Sequence, residues 1–407
     1  MARPDVIITL GAGGLGRIVA TEDGTCGIIV SGVAVAGKFA LDDVFFVQSL
    51  QQAIDLGITA AYDVENTCLA YRHIADFYDQ AAVGTKLFVM VVAKTTTMAN
   101  ICLKTNAYAK KLLTEGNGEI CFWGITRVPD DAYEPSYTDQ LDDDITAAMT
   151  NAQALIVEEF AAPYHRPSRA IIEGMDWQGN AATTLDLRTN NQNGVALVIG
   201  QDTGDAEAHE SAGNYAFVGY VMGRLSAISV QRNIGRVKDG NLTKTKIGFS
   251  NGGTLASIDE LNQNTLNDLG FIFAWKHAGK AGYFFNDDHV ATELTSDYSS
   301  LARGRTMDKA ARIIRAVLVD ELLDDLEVDA ATGKLPVSVI KEIQGNMEDA
   351  INTNMTANGE ISGAAIYLNP DQNYLGTDTI ATELKITPKG TNRALTALLE
   401  YTNPLNS

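Results

Sequence analysis

The sequence has few cysteines and no cysteine motif. Its 407 residues include four cysteines, Cys26, Cys68, Cys102 and Cys121, at wide and irregular spacing. It has no Cys-x-x-Cys pair and no Cys-His spacing of the kind that binds zinc, so neither a disulfide framework nor a zinc site is indicated. We expect reduced thiols packed in the interior of a chain that folds in a cytosolic environment.

Long apolar runs are also missing. The run Leu87 to Ala93 is less than half of the roughly 20 residues that a membrane-spanning helix needs. The opening residues, Met-Ala-Arg-Pro-Asp, lack the basic region and the apolar stretch of a secretory signal. The sequence therefore predicts neither a bilayer span nor export by that route.

Basic residues are scarce relative to acidic ones. The chain has 31 Lys and Arg against 51 Asp and Glu, which gives a formal net charge of -20. A negative field of this kind repels phosphate backbones and anionic lipid headgroups, so we expect no nucleic acid partner and no membrane insertion. With 45% apolar and 20% charged residues, the composition is that of an ordinary globular chain with material for two or three domains.

No catalytic constellation can be assembled from the histidines. The five histidines lie far apart, without a recognisable motif around any of them. The stretch Asn286 to His289, with Glu293 and Asp297 nearby, has the residue types of a metal site or an acid-base site. The same types are typical of a strand exit and a helix start, because they hydrogen-bond to local backbone. We favour that structural interpretation and expect no cofactor.

A β-type run at the start of the chain, Val6 to Leu10, leads into a glycine cluster, Gly11, Gly13, Gly14 and Gly16. The spacing formally satisfies the Gly-x-Gly-x-x-Gly pattern of a dinucleotide-binding turn. However, Thr21 to Gly24 would interrupt the helix that must follow such a turn, and Ser31 to Lys38 holds no carboxylate for the ribose. We therefore favour a flexible hinge at the base of a strand.

β-type runs such as Leu87 to Ala93 alternate with helical runs such as Tyr137 to Phe160 through the first 200 residues, which predicts a layered α/β fold. A further helix is predicted over Ala206 to Ile228. Two amphipathic helices follow later, over about Ser299 to Leu326 and Val337 to Met355. The chain then closes with three β-type runs, Ile361 to Leu368, Ile380 to Thr387 and Arg393 to Tyr401.

The first of these two helices carries its charges in two blocks. Its basic block is Arg303, Arg305, Lys309, Arg312 and Arg315, and its acidic block is Asp320, Glu321, Asp324, Asp325 and Glu327. This order opposes the helix dipole, so another partner has to compensate the charges. We interpret the helix as a subunit interface; pairing with another element of the same chain is the alternative.

Both ends of the chain have β-type runs behind flexible or turn-rich connectors. Such a run can add to the sheet edge of another subunit and gain main-chain hydrogen bonds. The residues predicted to do so are Val6, Ile7, Ile8, Leu10, Leu395, Ala397, Leu399 and Tyr401, with hinges at Gly11, Gly13, Gly14, Gly16 and Gly390. The alternative is a pair of edge strands that stay within their own domain.

Several short motifs occur in a fixed order after residue 257. They are Leu261-Asn262, the strand Phe271 to Trp275, Asp287-Asp288-His289, Ser296-Asp297-Tyr298, Arg303 to Ala310, Gly359 to Ser362, Asn369-Pro370 and Tyr401 to Pro404. In this order they resemble the C-terminal core of the contractile tail sheath proteins of phages and related injection machines. The likeness is closest to sheath-like proteins of transposable-phage type and of Bacteroidetes elements.

The resemblance implies a mixed α/β (α+β) fold. Its core domain would have a mixed sheet flanked by helices and completed by donated terminal strands, and an outer α/β domain would be added to it. We accordingly divide the chain into an N-terminal arm (1–22), an outer variable domain (23–205), a sheath core domain (206–390) and a C-terminal arm (391–407).

The resemblance also implies a structural subunit rather than an enzyme. Such subunits polymerise helically around an inner tube and contract to drive the tube through a target envelope. The implied partners are other copies of the chain, the inner tail tube protein, and baseplate and tail terminator proteins, in a virion tail or injection particle assembled in the bacterial host cytoplasm.

We assign the inner-tube contact to the outer face of the second amphipathic helix, at Lys341, Glu342 and Glu348. Two other functions stay open at this point. One is an α/β enzyme that binds a dinucleotide or a metal. The other is a non-contractile capsid or tube component.

Overall fold

The structure is a computed structural model of the chain. It describes residues 22–208, 213–323, 325–372, 374 and 379–401. The predicted strand Val6 to Leu10 and the glycines of the predicted N-terminal hinge lie outside these ranges. The chain divides into two compact units, of which the first ends at Lys309 and the second begins at Ala310. Within the described ranges, no helix is both long and apolar enough to cross a bilayer.

The described residues form strands and α-helices in alternation. The strands are β1 Cys26–Gly32, β2 Val44–Val47, β3 Leu87–Ala93, β4 Phe122–Thr126, β5 Tyr137–Thr138, β6 Leu141–Asp142, β7 Arg169–Glu173, β8 Val195–Val198, β9 Gly200–Asp202, β10 Ile247–Phe249, β11 Ala274–Trp275, β12 Phe284–Phe285, β13 Ile361–Leu368 and β14 Thr382–Pro388. The α-helices are α1 Leu50–Asp55, α2 Ala60–Asn66, α3 Ala70–Gln80, α4 Met98–Cys102, α5 Ala109–Glu115, α6 Asp143–Phe160, α7 Thr203–Ala208, α8 Val218–Ala227, α9 Glu260–Asp268, α10 Leu301–Asp320 and α11 Val337–Ile351.

The N-terminal unit is built on one six-stranded sheet with the strand order β2-β3-β1-β4-β7-β8. β2 runs antiparallel to β3, and the other neighbours run parallel to each other. In the central pair, Cys26 of β1 lies opposite Leu87 of β3, and the register continues to Gly32 opposite Ala93. The predicted mixed α/β fold class is confirmed.

The central strands of this sheet are buried along their whole length. Every residue of β1, β4 and β7 is buried, which accounts for the continuous apolar runs in their sequences. Ile28 belongs to a core formed with α3 and α8, whereas Ile29 belongs to a second core formed with α4, α5 and α6. Because successive side chains of a strand point to opposite faces, the two cores cover the two faces of the sheet.

The outer edge of β8 is covered by the chain itself. The backbone N–H of Ile199 donates to the carbonyl oxygen of Ile272 at 2.9 Å, and the N–H of Ile272 donates to that of Leu197 at 2.9 Å. The segment then enters the short pair β11–β12, where Ala274 lies opposite Phe285. All four cysteines are buried thiols that form no disulfide, as predicted.

Two glycines allow α8 to approach α3 closely. A Cβ added at Gly219 would lie 2.1 Å from the carbonyl oxygen of His73, and one added at Gly223 would lie 2.3 Å from that of Phe77. The spacing of four residues puts both glycines on one face of α8. Because packed helix backbone cannot move aside as a flexible side chain can, these positions exclude any side chain.

The C-terminal unit contains the second part of α10, the helix α11 and the antiparallel pair β13–β14. α11 buries the apolar stripe that its sequence predicts, and Ile340, Ile343 and Met347 on that stripe pack with Ile366 and Leu368 of β13. β14 alternates half-buried and exposed residues, which is the pattern of a strand with one face covered.

Two predicted helices differ from the observed ones. The helix predicted over Tyr137 to Phe160 starts at Asp143, because the short pair β5–β6 comes first and Asp142 caps the helix by accepting the N–H of Asp144. The helix predicted over Ala206 to Ile228 is two helices, α7 and α8. The predicted four-part domain division stays a prediction.

We expect Gly219→Ala to lower the free energy of unfolding by about 1–3 kcal/mol, because the added methyl group forces α8 away from α3. Gly345→Ala is the matched control: an added Cβ at this position in α11 meets no atom within 4 Å. This control should stabilise by roughly 0.5–1 kcal/mol through its higher helix propensity. Urea unfolding followed by circular dichroism measures both; a Gly219→Ala variant as stable as the wild type would contradict the packing argument.

Candidate functional site

A buried ion pair attaches the start of α10 to the sheet. Arg169, the first residue of β7, donates from Nε and Nη2 to the two carboxylate oxygens of Asp308, each at 2.7 Å. Its Nη1 donates to the carbonyl oxygen of Asn193 at 3.1 Å. Gly304 leaves space for this guanidinium, since a Cβ there would lie 2.8 Å from its central carbon. A bidentate pair of this kind fixes orientation as well as distance.

Two residues of the basic block of α10 bind other residues of the N-terminal unit. Arg305, predicted at a subunit interface, is 2% exposed, donates from Nη2 to the carbonyl oxygen of Ile228 at 3.4 Å, and lies 5.4 Å from the ring centroid of Phe122. Lys309 pairs with Asp23 at 2.7 Å. For these two cations the structure shows the alternative, pairing within the chain, and Arg305 lies in the interior because its guanidinium is stacked and hydrogen-bonded there.

The other predicted interface positions of this helix and the turn after it are more accessible. Arg303, Arg315, Asp320 and Asp325 are exposed, Arg312 is half-buried, and Asp324 is not among the described residues. Arg303 donates to the carbonyl oxygen of Ser296 and to the hydroxyl of Ser299, each at 3.3 Å. A subunit interface at these accessible positions stays a prediction.

The acidic stretch before α10 organises the helix start. Asp288 accepts the backbone N–H of Ala302 through Oδ2 at 2.7 Å, which satisfies a donor in the first turn of the helix. Asn233 donates from Nδ2 to a carboxylate oxygen of Asp287 and to one of Asp288. The favoured interpretation, a strand exit followed by a helix start, matches these contacts.

His289 is part of the same structure. Arg188 donates from Nη2 to Nδ1 of His289 at 2.7 Å, so the imidazole is neutral and its Nε2 donates to Oδ1 of Asn267 at 3.0 Å. Arg188 also donates to the carbonyl oxygens of Val290 and Thr292, at 3.3 and 3.4 Å. The imidazole therefore joins α9 to the segment that leads to α10.

Polar groups also meet at the carboxyl ends of β1 and β4. This is where the strand order reverses, and α/β sheets commonly bind ligands at such a point. Here the hydroxyl of Ser31 donates to the carbonyl oxygen of Val128 at 3.1 Å and accepts its N–H at 2.7 Å. Arg127 pairs with Asp144 at 3.2 Å and lies 4.1 Å from the ring centroid of Tyr133. These groups bind one another and hold the strand ends together.

Glu173 and His73 form a buried pair beside this point. Oε2 of Glu173 accepts the N–H of Arg127 at 2.9 Å, and Oε1 lies 3.9 Å from Nε2 of His73. Burial raises the pKa of Glu173 to about 8 and lowers the pKa of His73 well below its ordinary value. Both side chains are therefore predominantly neutral near pH 7. Neither Glu173 nor His73 was predicted as a site residue from the sequence. The signal that could have indicated a buried polar group was a charged residue at each end of the apolar strand β7, Arg169 and Glu173.

The C-terminal run contains apolar residues that are exposed to solvent. Residues 389–401 have no regular secondary structure and are all exposed. In an extended conformation, alternate residues share a face, so Leu395, Ala397, Leu399 and Tyr401 would form one apolar face. An exposed apolar series of this kind indicates a surface that a partner covers.

β13 and β14 form a two-stranded sheet. Among the described residues, no further strand pairs with either of its edges. An edge strand presents backbone N–H and C=O groups that can accept an added strand. The same unit thus has a short sheet with open edges and an extended run with one apolar face.

The outer face of α11 carries an ordered series of polar side chains. Lys341 donates to Oε1 of Gln344 at 2.9 Å, and Gln344 donates to Oε1 of Glu348 at 2.9 Å. Lys341 and Glu342 are exposed, and Glu348 is half-buried. Contact of this face with an inner tube stays a prediction.

We expect Glu173→Gln to change how stability depends on pH. The pKa of Glu173 is raised in the folded chain, so its contribution to stability is full below its ordinary pKa of 4.5 and is lost as pH rises through about 8. The wild type should therefore lose stability relative to the variant between pH 5 and 8.5, by on the order of a few kcal/mol. The lowered pKa of His73 acts in both proteins and cancels in the difference.

Urea unfolding of both proteins at pH 5, 7 and 8.5 measures this difference. Glu342→Gln, which removes one carboxylate at an exposed position on α11, is the matched control for the change in net charge. A flat profile for Glu173→Gln would mean that Glu173 is ionised in the folded chain.

Solved structures share this fold over nearly the whole chain. A chain of the anti-feeding prophage (AFP) helical sheath in its contracted state aligns with a TM-score of 0.61 at 11% identity and covers 99% of each chain. A chain of the AFP baseplate aligns with a TM-score of 0.60 at 11% identity over 99% of each. A chain of the contracted sheath complex of PVC, an extracellular contractile injection system, gives 0.60 at 9% identity over 100% of this chain and 99% of that one. The predicted resemblance to contractile sheath proteins is confirmed in the fold.

Family models give a second, independent comparison. No curated protein sequence matches the chain. The model described as DUF2586, N-terminal domain, matches residues 3–289, and the model for the DUF2586 C-terminal domain matches residues 297–406. Since these two matches account for almost the whole length, the chain belongs to the DUF2586 family.

Proposed function

We propose that the chain is a structural subunit of a contractile tail sheath and not an enzyme. It polymerises helically around an inner tube and contracts to drive the tube through a target envelope. The observation that carries the proposal is a fold shared from end to end with chains of contractile sheath assemblies. The exposed apolar run at the C-terminus supports it, because a subunit that donates a strand needs such a run.

Assembly proceeds by strand exchange between copies. The C-terminal arm, residues 391–407, adds to an open edge of the β13–β14 sheet of a neighbour, with its apolar face over the core that α11 covers. The N-terminal arm, residues 1–22, is donated in the same way through Val6, Ile7, Ile8 and Leu10. Such head-to-tail contacts between different surfaces generate open helices rather than closed dimers.

Contraction is a rearrangement of rigid bodies linked by these arms. The central sheet, buried on both faces, and the Arg169–Asp308 pair make the N-terminal unit a stiff element. The change of position is therefore taken up by connectors such as Gly390 and the glycine cluster that begins at Gly11. The outer and core domains rotate together about these hinges, at the two arms, while the donated strands stay paired.

The proposed partners are other copies of the chain, baseplate proteins, the inner tail tube protein and a tail terminator. The likeness to chains of both a sheath and a baseplate structure supports the first two. The setting is a virion tail or an injection particle assembled in the bacterial host cytoplasm. The net charge of -20 disfavours nucleic acid and membrane insertion.

Successive residues of an extended C-terminal arm lie on opposite faces, so substitutions at neighbouring positions can test whether one face is buried on donation. We expect Leu399→Asp to abolish tubes in negative-stain electron microscopy, because a charge would enter the apolar face of the donated strand. Leu398→Asp, one residue away and on the opposite face, should leave tubes intact. Both leucines are exposed in the single chain, by 92% and 84%, so neither change should affect the unassembled fold.

A variant that lacks residues 393–407 completes this experiment. It should remain dispersed at concentrations where the wild type forms hollow tubes. Tubes of normal appearance from the truncated variant would exclude a donated C-terminal strand, and a wild type that stays dispersed across concentration and salt would contradict the sheath function.

We expect Lys341→Glu to weaken co-sedimentation with the inner tube protein, because it reverses the charge on the proposed contact face of α11. Lys280→Glu is the control, since Lys280 is an exposed lysine of the N-terminal unit and carries the same charge change. Equal co-sedimentation of the two variants would remove Lys341, Glu342 and Glu348 from the tube contact.

A further inference from the structure

An apolar surface of the N-terminal unit takes no part in the proposed strand donation. At the C-terminal end of α6, the side chains of Val157, Phe160 and Tyr164 are exposed, and Phe160 is 52% exposed. Residues 160–164, Phe-Ala-Ala-Pro-Tyr, are exposed without interruption. We name Val157, Phe160 and Tyr164 the α6 patch. A contiguous apolar surface with two aromatic rings indicates a contact with another protein.

Lysines border the α6 patch. Lys104 and Lys110 both pair with Glu158, at 3.1 and 2.6 Å, which leaves one positive charge in excess. Nζ of Lys110 also lies 5.1 Å from the ring centroid of Tyr164. In a chain whose formal charge is -20, this is an apolar surface with a cationic border.

The C-terminal unit has a surface of matching chemistry in the turn after α10. Leu322 and Leu323 are exposed there, the latter fully. The backbone of Leu323 has φ +65°, in the left-handed region where glycine usually ends a helix. We name Leu322 and Leu323 the leucine turn. A strained, exposed leucine is typical of a contact that function maintains.

The leucine turn lies in an acidic stretch. Residues 316–333 contain no lysine or arginine, and their acidic residues are Asp320, Glu321, Asp324, Asp325, Glu327 and Asp329. Asp320 and Glu327 are exposed on either side of the two leucines. This surface is therefore an apolar tip with an anionic border, the complement of the α6 patch.

We propose that the leucine turn of one copy docks on the α6 patch of a second copy. The two leucines lie against the aromatic rings, and the acidic border faces the two lysines. This contact rests on the proposed function, because it is one of the head-to-tail contacts that a helical polymer of identical subunits requires. We assign the partner as a second copy of this chain, because every copy carries both complementary surfaces.

Cross-linking between full-length chains tests the contact directly. The variant Leu323→Cys is mixed with a mass-tagged Phe160→Cys variant and a short bis-maleimide, while the four native cysteines are buried and protected. We expect a cross-linked pair of chains joined at these two positions. Leu261→Cys, at an exposed leucine on α9, replaces Leu323→Cys in the matched control and should give no such product.

Charge reversal tests the border. Lys104→Glu with Lys110→Glu, or Asp320→Lys with Glu327→Lys, should each raise the concentration needed for tubes by about tenfold, because attraction becomes repulsion. All four changes in one chain should restore assembly close to the wild-type concentration. Lys38→Glu with Lys280→Glu, at exposed positions elsewhere on the N-terminal unit, should have little effect.

The outcomes separate this contact from the sheath function. Tubes that form without the cross-link, or reversals that are not rescued by the fourfold variant, would overturn the docking and leave the sheath function standing. A cross-link in a chain that never forms tubes would support the docking and contradict the sheath function. Neither cross-link nor tubes would overturn both.

Discussion

The buried pair between Arg169 and Asp308 is the constraint on which the N-terminal unit depends most. It joins the first residue of a central strand to the helix that leads out of the unit, and both charges are removed from water. Removing one partner of such a pair typically costs about 3–5 kcal/mol, because the other charge is left buried and uncompensated. The pair also requires Gly304, whose missing side chain gives the guanidinium its space. The presence of both Gly304 and Asp308 is therefore explained by their contact with Arg169, which lies far away in the sequence.

Several polar groups in the interior of this chain have hydrogen-bond partners, whereas several apolar groups at its surface are exposed. Groups that resemble catalytic or metal-binding residues, such as Asp288, His289 and Glu173, are bound to neighbouring backbone and side chains, and they stabilise helix starts and strand ends. Apolar groups at the surface, such as Phe160 and Leu399, are instead left exposed, by 52% and 92%. This distribution agrees with the proposed function, in which exposed apolar groups are covered by other copies.

The sequence predicted most of the regular elements and fewer of the contacts. Central strands such as Leu87–Ala93 and Ile361–Leu368 were correct to the residue, because a continuous or alternating apolar pattern follows directly from burial. The helix predicted from Tyr137 was placed too early, because a two-residue strand pair has almost no periodic signal. Arg305 was predicted at a subunit interface because sequence spacing cannot show that Phe122 and the carbonyl group of Ile228 lie beside it. Pairings such as Arg169 with Asp308 depend on how distant segments meet, which no local pattern contains.

The open edges of the β13–β14 sheet have a consequence for the chain before assembly. An unpaired edge will bind any extended segment of suitable character, so a pool of free chains is exposed to off-register pairing and aggregation. The excess of acidic residues opposes this, because like-charged surfaces repel one another when they come within about 8 Å, the distance over which salt screens their charges. Random encounters are thereby discouraged, whereas an ordered template that holds the incoming chain in place overcomes the repulsion. In the proposed polymer, the same surface charge would both keep free chains dispersed and confine growth to an ordered template.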